Sequence, residues 1–484
     1  MSKTDTVQPR ITVLTATQIE RVHHDSLRIL ADVGVRVDSE PARKLFAAAI
    51  GAGFSGGDRV RIPGDLIDWA LKAAPSSLKL YNRHGELTFQ LPGPARFGIG
   101  VTALYYQDPL TGAVAPFTRQ HMADLVRLGG ALDSFDVIST PGIVQDVQPE
   151  VSDLYETLEM VAHTTKPLVL LVSDDDAFPS VLDLIEHLHG DPSSHSGLGL
   201  AERPFVLPYL NPISPLVINR GTADKMLAAS ERGLPYIYSN YGMAGASTPI
   251  TPGSTLALLN AELLAGLVLS QLIREGQPIM LGSLPAYFDM QGMGSFYDVQ
   301  SYLIDLACAE MMAHYSLPHV GTSGSGMGWG ADLIASGHQW LNHLLSCLGK
   351  VGLAPFVGDN LGSKAFSPTV IVYADEIIAQ ARRLAGGFSL DEDALALDEI
   401  AQVGPGGNFL TTPQTLKHFR RAYYRSPTFP TLTLEEWQAR DQPHADDLLR
   451  QRTRDLLASA PAPDDQAELL ARGEAFIARR AARS

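Results

Sequence analysis

Between Arg96 and Asp359 short apolar runs alternate with helical stretches eight times, and this rhythm limits the fold more than any other feature. The runs are Ala95–Gly100, Phe135–Ile143, Pro167–Ser173, Phe205–Asn211, Tyr236–Gly242, Pro278–Leu284, Pro318–Gly324 and Leu353–Asp359. A continuous apolar run flanked by Gly, Pro and Asn fits a strand buried on both faces. Parallel strands need crossovers of about a dozen residues or more, and every interval here is long enough. Eight such units predict an α/β fold, a (β/α)8 TIM barrel, whose chemistry sits at the C-terminal strand ends.

A bare barrel needs about 250 residues, and this chain has 484. The excess divides into an N-terminal α+β cap over 1–94, the barrel over 95–388 and a helical C-terminal extension over 389–484. Apolar spacing in the cap predicts a helix opening at Thr15 or Thr17 and stopping at Gly34. Two more helices and a hairpin turning near His84–Gly85 follow. The barrel helices are predicted near 119–132, 151–164, 177–189, 222–232, 254–274, 298–315, 331–348 and 368–385. The segment from Ser389 to Leu410 reads as a helical hairpin ending in a Gly-rich turn. The charged tail reads as helical, partly as an oligomer arm, so a homo-oligomer is expected.

The net charge of −16 argues against nucleic acid, which needs a basic footprint, and against an anionic membrane surface. Two cysteines, Cys308 and Cys347, give no disulfide framework. The opening residues carry no apolar signal segment. The longest apolar helix contains Asn260, Glu262 and Gln271, so it reads as a buried barrel helix rather than a membrane span. A cytoplasmic protein is expected.

The predicted strand-end loops are rich in Gly, Ser, Met and aromatics and poor in charge. Phosphate-handling or metal-hydrolytic barrels would display Lys, Arg, His or several carboxylates there. Aromatic rings without a paired metal site suit an alkylated cation, which cannot donate hydrogen bonds and is held by ring faces at about 0.5–2 kcal/mol each. The candidates are Tyr105, Tyr106, Tyr209, Tyr241, Tyr287, Phe288, Phe296 and Trp329, with Met243 beside them; a ring at a barrel mouth is more often packing. Asp359 and Asn360 close strand eight, where polar residues are more often functional, and Asn211 and Ser214 close strand four. Gly242, Gly245, Gly326 and Gly328 would let a backbone approach a ligand or cofactor, or simply make tight turns. No dinucleotide fingerprint is present. His343 and Cys347 lie four residues apart with His338 nearby, but no convincing third ligand follows, so a buried thiol is favoured and no metal is assigned. Glu310 reads as structural; Glu262 is left open.

These residues resemble the trimethylamine:corrinoid methyltransferase family, and specifically its pyrrolysine-free, glycine betaine methyltransferase-like homologues. The likeness runs through TATQIERVHHDSLRILADVGVRV, IPGDLIDWALKAAPSSLKLYNR, YYQDPLTG, HTTKPLVL, LNPISPL, YGMAGASTPITPGSTLALLNAELLAG, SYLIDLACAEMMAHYSLPHVG, YADEI and IAQVGPGGNFLT. It implies a (β/α)8 barrel and methyl transfer from a quaternary amine or betaine to cob(I)alamin on a separate small corrinoid protein, with no tightly bound cofactor. Where other members carry pyrrolysine, placed at strand seven, this chain has ordinary residues, Ser323–Trp329. A betaine carboxylate would need donors: Asn211, Asn240, Asn360, Ser325, His338 or backbone N–H groups near Gly242–Gly245. The alternatives are a barrel lyase or hydrolase, which would need convergent carboxylates or histidines, and a non-catalytic binding protein for betaine-like osmolytes.

Overall fold

The eight runs close into one parallel barrel in the computed structural model, which describes residues 5–54, 56–189, 199–321 and 326–481. The strands are β1 Arg96–Ile99, β2 Val137–Ser139, β3 Leu168–Leu170, β4 Val206–Leu210, β5 Tyr236–Ala244, β6 Ile279–Asp289, β7 His319–Val320 and β8 Leu353–Val357. Each pairs in parallel with the next, and β8 pairs with β1. The helices that follow them are α1 Arg119–Ala131, α2 Ser152–His163, α3 Phe178–His189, α4 Arg220–Glu231, α5 Pro252–Ile273, α6 Val299–His314, α7 Leu333–Leu348 and α8 Pro368–Gly386. Local chemistry fixes several starts. Thr118 makes a capping box with His121, Asp298 and Asp332 accept first-turn N–H groups, and Pro252 and Pro368 occupy first turns.

β5 and β6 run longer than their sequence runs. They stay paired for nine rungs, from Tyr236–Ile279 to Ala244–Tyr287, and so rise past the rim as a wall of the mouth. β6 then turns back through Gly294–Phe296. At the rim beside them, Tyr105–Gln107, Val114–Pro116, Asp359–Asn360 and Ala365–Phe366 form a small accessory sheet.

The N-terminal segment serves the barrel in two ways. Its helices Ala16–Arg28, Glu40–Ile50 and Gly64–Ala73 all pack on α5. This explains why α5 is apolar on every face: it is sandwiched between barrel and cap. By length and composition α5 could cross a membrane, but it is mostly buried inside the fold. The hairpin Leu78–Tyr81 and Leu87–Leu91 plugs the N-terminal end of the barrel. Leu78, Leu80, Phe89 and Leu91 share one apolar cluster with the lumen residues Val137, Val169, Leu207, Ile237, Met280 and Leu353. Burying each such side chain is worth about 1.5–3 kcal/mol, so the lower lumen is filled with hydrocarbon and only the upper end is left for chemistry.

Buried carboxylates on the helices tie down the loops. Glu310 accepts the N–H groups of Val13 and Leu14 at 2.8 Å. Glu262 accepts from Ser214 Oγ, the Leu216 N–H and Asn240 Nδ2, all at 2.7 Å, which anchors the strand-four loop. The C-terminal helices Ala445–Ser459 and Gln466–Ala481 lie against α8 and α1, and against α2 and α3. Between barrel and tail, the expected hairpin is two short helices, Glu392–Leu395 and Leu397–Val403, broken by Ala396 at a φ of 46°.

Candidate active site

Side chains alternate along each strand, so one set fills the lumen. At the top of that column Tyr209 of β4 meets Phe356 of β8 edge to face, with centroids 5.0 Å apart. The Tyr209 hydroxyl is buried beside the Ser239 and Asn211 side chains, with no hydrogen bond of good geometry to either. Above it, on the side of β5 and β8, lie Tyr241, Tyr297 and Asp359. The Tyr241 and Tyr297 phenols lie within hydrogen-bonding reach of each other. Asp359, Tyr241 and Tyr209 all act electrostatically on Tyr297, which places the four together.

Asp359 is 1% exposed, and neither carboxylate oxygen has a hydrogen-bond partner of acceptable geometry. Burial drives its pKa up to about 7, against smaller lowering effects from Ser363 and the Gly326 N–H nearby. A buried carboxylate without well-formed hydrogen bonds costs several kcal/mol when ionised. The next residue, Asn360, is fixed by a 2.6 Å bond to Gln107 Oε1, and Gln107 Nε2 donates to the Trp329 carbonyl at 2.9 Å. The strand-seven and strand-eight loops also bond directly, Leu361 N–H to Gly328 O and Gly362 N–H to Gly326 O, each at 3.0 Å.

Across the mouth, at the ends of β1, β3 and β4, lies a recess of about 270 Å³ lined by Thr102, Ser173, Tyr209, Asn211, Thr222 and Lys225, among others. Lys225 Nζ donates to the Val172 carbonyl at 2.8 Å and pairs with Asp175 at 2.7 Å. Thr102 holds a left-handed φ of 56°, unusual for a non-glycine residue. Larger cavities lie elsewhere: about 650 Å³ between the mouth rim and the C-terminal tail, and about 1190 Å³ at the barrel bottom. Neither includes Asp359.

The sequence-derived candidates divide by position. Tyr241 and Asp359 converge at the mouth with Tyr209; the Asn360 amide is directed to Gln107; and Asn211 lines the recess, its amide donating to the Ser239 carbonyl at 2.8 Å. Met243 and Phe288 are half-buried on the projecting β5–β6 wall. Tyr105 is exposed on the accessory sheet, and Tyr106 stacks on His121 at 4.0 Å, facing α1 rather than the lumen. Trp329 is 71% exposed on the rim. His338 sits on α7 and is bonded to the Tyr302 hydroxyl at 3.0 Å, and the Tyr302 phenol in turn feels the Asp359 carboxylate. Asn240 spends its amide on Leu259 O and Glu262 on the outer side of β5. Ser325 lies outside the described residues. The four glycines are occupied by packing. A Cβ at Gly242 would strike Leu259 at 2.6 Å; Gly326, Gly328 and Gly245 have φ of 78°, 90° and 93°, and a Cβ on each would come within 2.7–3.0 Å of a neighbouring side chain.

His343 is buried edge-on against Phe97 at 5.6 Å. Burial raises the Cys347 thiol to about 11. Among the described residues no cluster of three or more His, Cys, Asp or Glu could hold a metal. Sequence reasoning passed over Tyr297, Phe356, Lys225 and Gln107. Tyr297 precedes Asp298, the cap of α6, and reads as loop. Lys225 lies a turn inside α4, and nothing local shows that its amine reaches back to the end of β3.

The fold is a (β/α)8 barrel whose mouth encloses a carboxylate among aromatic rings. The family model for trimethylamine methyltransferase (MTTB) matches residues 2–484, so the chain belongs to that family and is a methyltransferase. It is 28% identical to the trimethylamine methyltransferase MttB of Desulfitobacterium hafniense (strain DSM 10664 / DCB-2) over 415 residues, 83% of this chain and 81% of that one. It is 27% identical to the glycine betaine methyltransferase of Desulfitobacterium hafniense (strain Y51) over 482 residues, 98% of each chain. Among solved structures, the monomethylamine methyltransferase MtmB of Methanosarcina barkeri aligns over 95% of this chain and 96% of its own, at 11% identity and a TM-score of 0.48.

Proposed function

We propose that the protein transfers a methyl group from a quaternary amine to the cobalt of a corrinoid carried by a separate small protein. The observation that carries this is Asp359, enclosed and without a counter-ion beside Tyr209, Tyr241 and Tyr297. A quaternary ammonium offers no N–H, so it is held by charge and by ring faces. An ammonium about 4 Å from an ionised carboxylate gains about 4 kcal/mol at an effective dielectric of about 20, and each ring adds about 0.5–2 kcal/mol. The named substrates of the relatives, trimethylamine and glycine betaine, are a tertiary and a quaternary amine. The quaternary one suits this mouth, because the electron pair of the broken C–N bond stays on nitrogen and the leaving amine is neutral, so no side chain has to supply a proton.

The corrinoid supplies the nucleophilic Co(I) that accepts the methyl group. The rim fits its apolar macrocycle: Met290, Met293, Trp329 and Leu333, from the strand-six and strand-seven loops, are 70–93% exposed there. The residues of this chain orient. Tyr209, Phe356 and Tyr241 wall the ammonium so that one methyl faces the open end, which exchanges a bimolecular encounter for a positioned one. Asp359 loses its counter-charge as the product forms, so the neutral amine is held less tightly than the substrate.

The test is methylation of Co(I) on the cognate corrinoid protein, followed by absorbance, across a panel of quaternary and tertiary amines. Methyl transfer from a quaternary amine, with none from trimethylamine, is the expected result. No transfer from any amine in the presence of the carrier protein would overturn it.

A further inference from the structure

The end of the barrel away from the mouth holds a cavity of about 1190 Å³ whose charge is opposite to that of the chain. The protein carries a net charge of −16, yet Arg10, Arg96, Lys350 and Arg382 line this cavity and, among the described residues, no Asp or Glu does. The four come from separate places: the N-terminal segment, β1, the turn after α7, and α8. Asp136 pairs with both Arg96 and Arg382, so one carboxylate is shared by two guanidiniums. Arg10 donates to Gln8 Oε1, a neutral acceptor, at 2.8 Å. Its segment is pinned beside Lys350, because the Ile11 N–H donates to the Leu348 carbonyl at 3.0 Å. A helix C-terminus favours a nearby cation, which accounts for Lys350 and Arg382 at the ends of α7 and α8. It does not account for Arg10 and Arg96, which lie outside helices.

Two buried polar groups at this cavity lack partners. His319 of β7 is 3% exposed, and neither ring nitrogen is hydrogen-bonded. Alternation along β7 sends Val320 into the lumen cluster and turns His319 outward, toward the wall that Ala309, Ala313 and Cys347 complete. Burial pushes the His319 pKa down to about 3, so the ring stays neutral and offers one N–H. The Asp305 carboxylate is near the same ring, where a Cβ at Gly321 would meet both, but it does not line the cavity. Arg96 Nε is also buried and unpaired. No Phe, Tyr or Trp lines the cavity, so nothing there would stack a nucleotide base.

We propose that this cavity binds a small phosphate-bearing anion, held by Arg10, Arg96, Lys350 and Arg382 with His319 as a neutral donor. Guanidinium forks match phosphate oxygens two at a time, and cations from four separate elements surround a multiply charged ligand. The site lies at the end of the barrel opposite the chemistry. An anion there ties the N-terminal segment to the barrel and α8, so it acts on stability rather than on methyl transfer.

The experiment titrates the full-length protein with inorganic phosphate, pyrophosphate, glycerol 3-phosphate and citrate, at an ionic strength held constant with chloride. Calorimetry and thermal unfolding measure binding, and amide exchange locates it. At least one phosphate anion is expected to bind more tightly than citrate, to raise the unfolding midpoint, and to slow exchange in residues 5–14 and 349–352. Preference for the ester or for the free anions upholds the site either way and names the source. The double variant Arg10→Gln/Lys350→Gln, which alters two exposed side chains, should weaken binding about 10-fold or more, and Arg220→Gln on α4 should not. No binding by any phosphate anion, equal binding by the double variant, citrate binding as tightly, or protection confined to the mouth would each overturn the proposal. Should the double variant not fold, the exchange map of the wild type decides.

Discussion

Gln107 and Asn360 are joined by a 2.6 Å hydrogen bond, and the same Gln107 side chain donates to the Trp329 carbonyl. One amide thus clamps the loops after β1, β7 and β8 around Asp359. Neither partner touches the proposed substrate position, so Gln107 is a positioning residue. Replacing it with Leu leaves the buried Asn360 amide without its acceptor. The expected outcome is a folded protein with kcat/KM lowered about 10-fold, of the order of the about 1–3 kcal/mol for an unsatisfied buried donor. Gln107→Glu, which keeps the acceptor, should recover part of it. Steady-state kinetics beside thermal unfolding check both.

Asp359 should oppose stability while serving binding. Its pKa rises from 3.8 to about 7 in the fold, so the folded chain binds a proton that the unfolded chain has lost. Stability therefore falls as pH rises between about 4 and 7, by about 4 kcal/mol at 1.36 kcal/mol per unit. Asp359→Asn removes this loss and should raise the unfolding midpoint at pH 8 while weakening substrate binding. In the wild type KM should fall as pH climbs through about 7, because the ionised form holds the ammonium. In the variant the KM profile should be flat. Unfolding scans and KM measured from pH 5.5 to 8.5 provide the check.

Glu156 gives a second pH signature away from the mouth. Burial, with Asp153 nearby, drives its pKa up to about 8. One oxygen, Oε1, accepts both the Val144 N–H at 2.9 Å and Ser152 Oγ at 2.8 Å, which leaves the other oxygen for the proton. Because the folded pKa is raised, its contribution is intact at acid pH and is lost as pH rises toward 8. Glu156→Gln keeps the acceptor and cannot ionise. The variant should match wild type at pH 5 and melt several degrees higher at pH 9 by calorimetry.

Lys166 closes the end of α1. Its ammonium donates to the carbonyls of Gly129, Leu132 and Phe135 at 2.9, 2.7 and 2.8 Å. Lys166→Met keeps the stem and strips all three bonds, so it should destabilise the fold by about 1.5–3 kcal/mol with little change in KM. Denaturant titration alongside kinetics separates the two effects.

The barrel was legible because its signal is local and repeated. Runs such as Pro167–Ser173 and Tyr236–Gly242 are apolar on both faces, and only a strand covered by helices needs that. Asp359 and Tyr241 were legible as candidates because they end or extend such runs. Tyr106 and His338 looked equivalent in sequence. Only the packing shows that one ring faces α1 against His121 and the other bonds to Tyr302, whose phenol feels Asp359.

By itself the sequence determined the eight-fold alternation and the absence of a dinucleotide fingerprint, since both rest on periodicity, composition and short-range spacing. The tertiary structure decided which polar groups face one another. Asp359, Tyr297 and Tyr209 come from the segment after β8, the loop before α6 and β4, and nothing in their local sequence records their approach. Barrel closure brings them together, and burial gives Asp359 its altered acidity, because desolvation depends on neighbours far along the chain.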